Sequence, residues 1–263
     1  MPNYNAPIED LGFVLRELID IKEIAELPGY EDASTDVIDA VLSAAGKFAS
    51  DVLAPLNRPG DQQPPVLSDG VVTTMEGWKD AYQQFIESGW TGLIFDPAFG
   101  GQGLPRVVGT AVQKMWDASN MSFGLCPLLT QAAAAAISQC GSEEQKKVYL
   151  SKLVSGEWAG TMNLTEPQAG SDLSAVRTRA EPTAAGHYLI TGQKIFITYG
   201  EHDLTDNIIH LVLARTPDAP EGVGGISLFL VPKFILDEQG ELGQRNDLLC
   251  TGLEHKLGIH GSP

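Results

Sequence analysis

The hydrophobic period of this chain changes near Trp158, and that change limits the folds open to it. Before that point apolar residues recur at helical spacing. Val37, Ile38, Val41, Leu42, Ala45, Phe48 and Val52 form one stripe behind a Ser34/Thr35 start, ending near Pro55. Residues 57–71 read as a Pro/Gly/Gln loop, and Thr73 and Glu76 have capping-box spacing ahead of Trp78, Tyr82, Phe85 and Ile86. A third helix follows Pro105, with Val107, Val108, Ala111, Met115 and Trp116 in register. A fourth covers 125–140, where the small side chains from Ala132 to Ala136 let a neighbour approach closely and Gly141 can stop the helix. Ser142 and Gln145 cap a fifth helix, which Gly156 can end.

After Trp158 the runs are short and β-branched or alternating: 161–165, 175–180, 188–191, 194–198, 208–214 and 226–231, with turns such as Ala185-Gly186 and Thr191-Gly192 between them. Helices followed by strands predict an α+β chain: an all-α domain at 1–157, with a leading extension at about 1–35, then an antiparallel β-barrel-like domain at 158–263. A length of 263 residues suits two domains on a prior of ~100–200 residues each. The strand-like stretch 248–259, close to the last residue Pro263, would leave a sheet edge unpaired. The β domain is therefore expected to be incomplete, and the chain to be a fragment of a longer protein or one that needs another chain.

Hydrophobic residues make up 43% and charged residues 19%, which excludes a disordered or fibrous chain. The formal net charge of −17 repels phosphate backbones and anionic membrane surfaces, so neither nucleic acid nor a membrane is expected as a partner. Cys126, Cys140 and Cys250 are odd in number and widely spaced, giving no disulfide framework. Together with an N-terminus that lacks the pattern of a signal peptide, this predicts a cytoplasmic protein; no segment approaches the ~20 apolar residues of a membrane span. His202, His210, His255 and His260 lack metal-ligand spacing, so no metal role is expected. Gly100-Gly101-Gln102-Gly103 has no βαβ unit around it and reads as a loop, not a nucleotide site.

The informative stretch is Met162-Asn163-Leu164-Thr165-Glu166-Pro167-Gln168-Ala169-Gly170-Ser171-Asp172-Leu173. It begins as a strand and turns at Pro167 and Gly170, with Thr165 and Ser171 on either side and Ala169 and Gly170 exposing backbone N–H groups. Such a turn suits a polar ring edge and a phosphate. It is also what a plain strand end with a Ser/Thr turn would look like. A second segment, Gly192-Gln193-Lys194-Ile195-Phe196-Ile197-Thr198-Tyr199-Gly200, follows it.

The first segment closely resembles the flavin-binding signature of the acyl-CoA dehydrogenases, and the second resembles another segment of that family at the expected distance. With the Asp96–Gly103 loop, the resemblance covers nearly the whole chain. Residues 2–7 and 256–263 look like the long subgroup that includes 3-methylmercaptopropionyl-CoA dehydrogenase. The resemblance implies an FAD enzyme that desaturates an acyl-CoA thioester, possible substrates including the 3-methylthiopropionyl thioester. It further implies a homodimer that passes electrons to electron-transfer flavoprotein. Met162, Asn163, Leu164, Thr165, Gly170 and Ser171 would line the flavin, Phe196 would lie against its ring, Ile197 would sit beside it, and Thr198 would reach its N5 region. Ser171 would also touch the acyl-CoA. Asn163 departs from the family pattern, which has a small residue or Cys there, and Phe196 stands where many relatives have Trp. The family's catalytic carboxylate lies in a C-terminal helical bundle not found in this sequence, so no catalytic base is expected here; Glu166 and Asp172 are structural in the motif. Two other readings share these residues: a non-catalytic truncated paralogue acting as a partner or scaffold, and an acyl-CoA oxidase.

Overall fold

The computed structural model describes residues 4–263 apart from Glu238. Two short helices, α1 (Ile8–Phe13) and α2 (Ile21–Ala25), lead into α3 (Thr35–Phe48), where the Ser34 hydroxyl accepts the Val37 N–H as the sequence predicts. That helix does not stop near Pro55. A π-helical turn at Ala49–Leu53 carries the chain into α4 (Ala54–Gln62), and the wider turn ahead of Pro55 accommodates a residue that has no N–H to donate.

Part of the expected 57–71 loop is therefore helix, and its end forms a hairpin of β1 (Val66–Ser68) and β2 (Val71–Thr73). Asp69 and Gly70 both have positive φ (51° and 75°), the backbone that an Asp-Gly hairpin turn requires. The capping box at Thr73 does not form. Thr73 ends a strand, Gly77 at φ 85° precedes α5 (Trp78–Glu87), and Thr74 donates its N–H and hydroxyl to Asp203 Oδ1.

The third and fourth predicted helices are two arms of α6 (Arg106–Cys140), broken at Asn120 (φ −159°, ψ 85°). Asn120 accepts the Phe123 N–H, recapping the second arm, and donates to the Leu53 carbonyl. By length and composition α6 could cross a membrane, which corrects the expectation that no segment comes near it. Half of its apolar window is buried in this fold, and Val112, Met115, Trp116 and Phe123 stand in the main core against Trp78, Tyr82 and Phe85. Phe85 and Trp116 meet edge to face with centroids 4.7 Å apart. The Ser142–Gln145 capping box forms on α7 (Glu143–Gln145), and Gly156 at φ 80° ends α8 (Ser151–Ser155).

The strands that follow are β3 (Trp158–Asn163), β4 (Arg179–Pro182), β5 (Tyr188–Thr191), β6 (Asn207–Ala214), β7 (Ser227–Pro232), β8 (Phe234–Leu236) and β9 (Leu242–Arg245). Two expectations need correction. The strands make small sheets and, among the described residues, no closed barrel; and β3 pairs with β6 in parallel, the order being β3-β6-β7 with β7 antiparallel. Residues 194–198 are not a strand, because Phe196 and Tyr199 take φ of 57° and 53°, which breaks any ladder. Residues 175–180 are strand only from Arg179, and 248–259 contain none.

The two faces of the β3-β6-β7 sheet differ. Gly160, Met162, Ile209 and Leu211 face the second arm of α6 and α8, where a core joins Ala133, Ala134, Ile137 and Leu153 to the sheet. A Cβ on Gly160 would lie 2.4 Å from the Ala133 Cβ, so this glycine and the alanine run are one close helix-to-sheet contact. Thr161, Asn163, His210, Val212, Phe229 and Val231 form the opposite face.

Candidate functional site

That opposite face is part of the wall of a groove of about 1610 Å³, lined also by β5, by the irregular segment 192–198 and by 246–254. Of the residues singled out in the sequence, Asn163, Phe196, Ile197 and Thr198 line this groove. Met162 packs its side chain on the helix-facing side of the sheet. Leu164 and Thr165 are half-buried where the strand leaves it, and Gly170 and Ser171 are exposed on the turn beyond.

The turn is held more tightly than the sequence suggests. Glu166 and Ala169 exchange both backbone hydrogen bonds, so the Ala169 N–H is taken and is not open to a ligand, contrary to expectation. Asp172 caps the 3₁₀ turn at Leu173–Ala175 by accepting the Ser174 N–H. Glu166 is the hub. Its carboxylate accepts from Gln168 Nε2, the Arg177 and Thr178 N–H groups, the Thr178 hydroxyl and Lys194 Nζ. Burial alone would raise its pKa; Lys194, Thr178 and the two N–H groups outweigh that and hold it at about 2. A carboxylate so saturated holds a proton poorly, which makes Glu166 a structural anion.

Lys194 also donates to the Leu164 carbonyl, and the Ile195 N–H donates to the Thr165 carbonyl. These bonds clamp the second segment against the first. The segment is fastened at its far end by Tyr199, whose buried hydroxyl donates to the Ser122 carbonyl at 2.6 Å and accepts from Trp78 Nε1 at 3.1 Å. Between the two anchors Phe196, with a left-handed backbone, is 66% exposed. An exposed aromatic face with a polar sheet surface beside it fits a planar ring system with a polar edge.

Several groups near the groove escaped the sequence reading. His210 and Thr161 form a buried polar network with Asn163. Glu201, buried at the edge of the groove, is paired with Lys233 and with Arg245 at 3.0 Å. Neither has a local sequence signal, because each is assembled across strands far apart in the chain. The Gly100–Gly103 loop is a packing element: a Cβ on Gly101 would lie 2.0 Å from the Phe95 carbonyl oxygen, and Gln102 and Gly103 donate to the Gly92 and Phe95 carbonyls. His260 pairs with Asp61 at 2.7 Å.

Known proteins resemble this chain in sequence and fold. Residues 35–157 match the acyl-CoA dehydrogenase N-terminal domain and residues 161–263 the acyl-CoA dehydrogenase middle domain. The chain is 52% identical, over 99% of its length, to 3-methylmercaptopropionyl-CoA dehydrogenase of Ruegeria pomeroyi, and 42% identical over 99% to a butyryl-CoA dehydrogenase of Syntrophomonas wolfei. It spans 44% and 43% of those relatives, less than half of each. Among solved structures, butyryl-CoA dehydrogenase from Megasphaera elsdenii superposes with a TM-score of 0.66 at 26% identity, over 87% of this chain and 54% of that one. With both domains matched in order, and with the two segments joined through Glu166 and Lys194, the chain belongs to the acyl-CoA dehydrogenase family.

Proposed function

We propose that this chain supplies the helical and β portions, divided at 157/158, of an FAD-dependent enzyme that introduces a double bond between the α and β carbons of an acyl-CoA thioester, with 3-methylthiopropionyl-CoA as substrate. The observation that carries this reading is the exposed Phe196 ring, held at the groove between the Lys194 clamp and the Tyr199 anchor. The high identity to a 3-methylmercaptopropionyl-CoA dehydrogenase supports the choice of acyl group.

Bound FAD would supply the oxidising power that desaturation needs, as a two-electron acceptor. Phe196 offers its face to the ring, and Ile197 and Thr198 border it. Leu164 and Thr165 with Gly170 and Ser171 bound the cofactor at the turn, Met162 contributes through its backbone, and Asn163 stands on the groove wall. Ser171, exposed on the turn, meets the acyl-CoA. The clamped strand end keeps these residues in place before substrate arrives, so little reorganisation accompanies the development of charge. The carboxylate that removes the α proton is assigned to no residue of this chain; Glu166, held at about 2 by Lys194, the Thr178 hydroxyl and two backbone N–H groups, remains an anion that positions the turn. The enzyme works as a homodimer in the cytoplasm and hands its electrons to electron-transfer flavoprotein.

The test is the visible spectrum of the protein expressed from its natural reading frame, before and after anaerobic addition of 3-methylthiopropionyl-CoA and of butyryl-CoA. A yellow protein bleached more readily by the first supports both reaction and substrate. Bleaching by butyryl-CoA alone overturns the substrate, rapid reoxidation by oxygen favours an oxidase, and a protein that stays colourless with added FAD favours a scaffold.

A further inference from the structure

A buried polar atom on the groove wall has no partner among the described residues: Nε2 of His210, a residue 1% exposed. Across the same ring, Nδ1 lies 2.8 Å from Thr161 Oγ1, and Thr161 Oγ1 donates to Asn163 Oδ1 at 2.7 Å. The parallel register sets Thr161 beside His210, with Asn163 two residues on and on the same face.

A threonine hydroxyl has one proton, and here Asn163 receives it. Thr161 can therefore only accept from His210, which places the imidazole proton on Nδ1. The Asn163 carboxamide is the acceptor at the end of this chain of bonds. Its Oδ1 faces Thr161, and its Nδ2, with two N–H donors, is turned away from that bond on a residue that lines the groove. Burial, with the charge of Lys233 adding to it, lowers the His210 pKa to about 3, so at neutral pH the ring is neutral and carries a single N–H, the one on Nδ1.

We infer that His210 is a positioning residue: through Thr161 it holds the Asn163 carboxamide with its N–H donors toward the groove, where they bind an acceptor edge of the flavin ring. The inference rests on the flavin reading above. Neither a small residue nor Cys at position 163 could present two such donors. A donor fixed in advance stabilises an acceptor edge more strongly as that edge gains negative charge, so the network raises both the affinity for FAD and its reduction potential.

The experiment compares the wild type with Asn163→Leu, His210→Phe, His210→Gln and the Asn163→Leu/His210→Phe pair, each in the full natural reading frame, by FAD titration and spectroscopic potentiometry. Asn163→Leu and His210→Phe each weaken FAD binding about tenfold, the upper end for one hydrogen bond between neutral groups, and lower the potential. The double variant is no worse than either single one. His210→Gln, whose amide can still donate to Thr161, recovers most of the loss. Wild-type affinity and potential in His210→Phe, or additive effects in the double variant, overturn the inference while leaving the flavin reading intact; a wild type that binds no FAD overturns both. Should His210→Phe not fold, nitrogen NMR of the wild-type imidazole decides: an Nδ1–H tautomer supports the chain of bonds, and an Nε2–H tautomer overturns it.

Discussion

Lys194 Nζ lies 2.8 Å from Glu166 Oε1, although 28 residues separate them, and the two side chains are 7% and 3% exposed. The pair fastens the turn after β3 to the segment that carries Phe196. Burying both charges is costly in itself, and the additional donors on Glu166 are what make the arrangement tolerable. The value of the pair therefore lies in holding two segments in one geometry.

Replacing Lys194 by Met keeps the aliphatic bulk and removes the charge, leaving Glu166 buried with its remaining donors. The expected cost is about 3 kcal/mol, the lower end for breaking a buried pair, because four of the five donor groups stay. Thermal unfolding of the flavin-free protein measures it. FAD affinity should fall as well, since the 194–198 segment loses its anchor; unchanged melting and unchanged affinity together would remove the clamp from the account.

The same carboxylate gives a pH dependence with a definite sign. Its folded pKa is about 2 against an ordinary 4.5, so between those values the unfolded chain binds a proton that the folded one does not. The stabilisation is complete above about pH 4.5 and is lost as the pH falls toward 2; at about 1.4 kcal/mol per unit it amounts to roughly 3 kcal/mol. Urea unfolding at pH 6 and pH 3.5 should show a steeper acid loss in the wild type than in Glu166→Gln. Parallel curves would count against it.

How much of this was legible in the sequence can be seen from where reading and structure part. Local signals worked where the physics is local: Ser34 and Ser142 cap their helices, and Gly156 ends one. The missed elements have two kinds of cause. The Asp69-Gly70 turn did have a signal, hidden inside a stretch classed as loop by its prolines. The run 194–198 looks like a strand because it alternates, but the bonds from Lys194, Ile195 and Tyr199 hold it in an irregular path, and a β-branched pattern cannot report that. Likewise the parallel pairing of β3 with β6 depends on the chain between them, and the Thr161–Asn163–His210 network exists only once that pairing is made.

The close approach at Gly160 allows a direct check of the helix-to-sheet contact. Gly160→Ala places a methyl 2.4 Å from the Ala133 Cβ, far inside contact distance, and overpacking of this kind costs about 1–3 kcal/mol. Ala133→Gly should by itself destabilise α6 modestly, through lost helix propensity and a small void. Combined, the two changes should be less harmful than their sum. A double-mutant cycle that comes out additive would mean that these residues do not press on one another.

Phe196 separates binding from folding. The residue is 66% exposed and its backbone has φ 57°, so folding gains little from the side chain and Phe196→Ala should change unfolding free energy by less than about 0.5 kcal/mol. The ring's value lies in what it covers when the cofactor is present. Losing an aromatic stacking contact of about 0.5–1.5 kcal/mol, together with the area it buries, should weaken FAD binding by an order of magnitude or more. Phe196→Trp should keep or improve affinity, since it retains the flat apolar face and adds an N–H. The measurement is FAD titration beside thermal unfolding without FAD. A Phe196→Ala protein that melts normally and binds FAD as tightly as the wild type would place the ring outside the cofactor site, and with it the observation on which the proposed function rests.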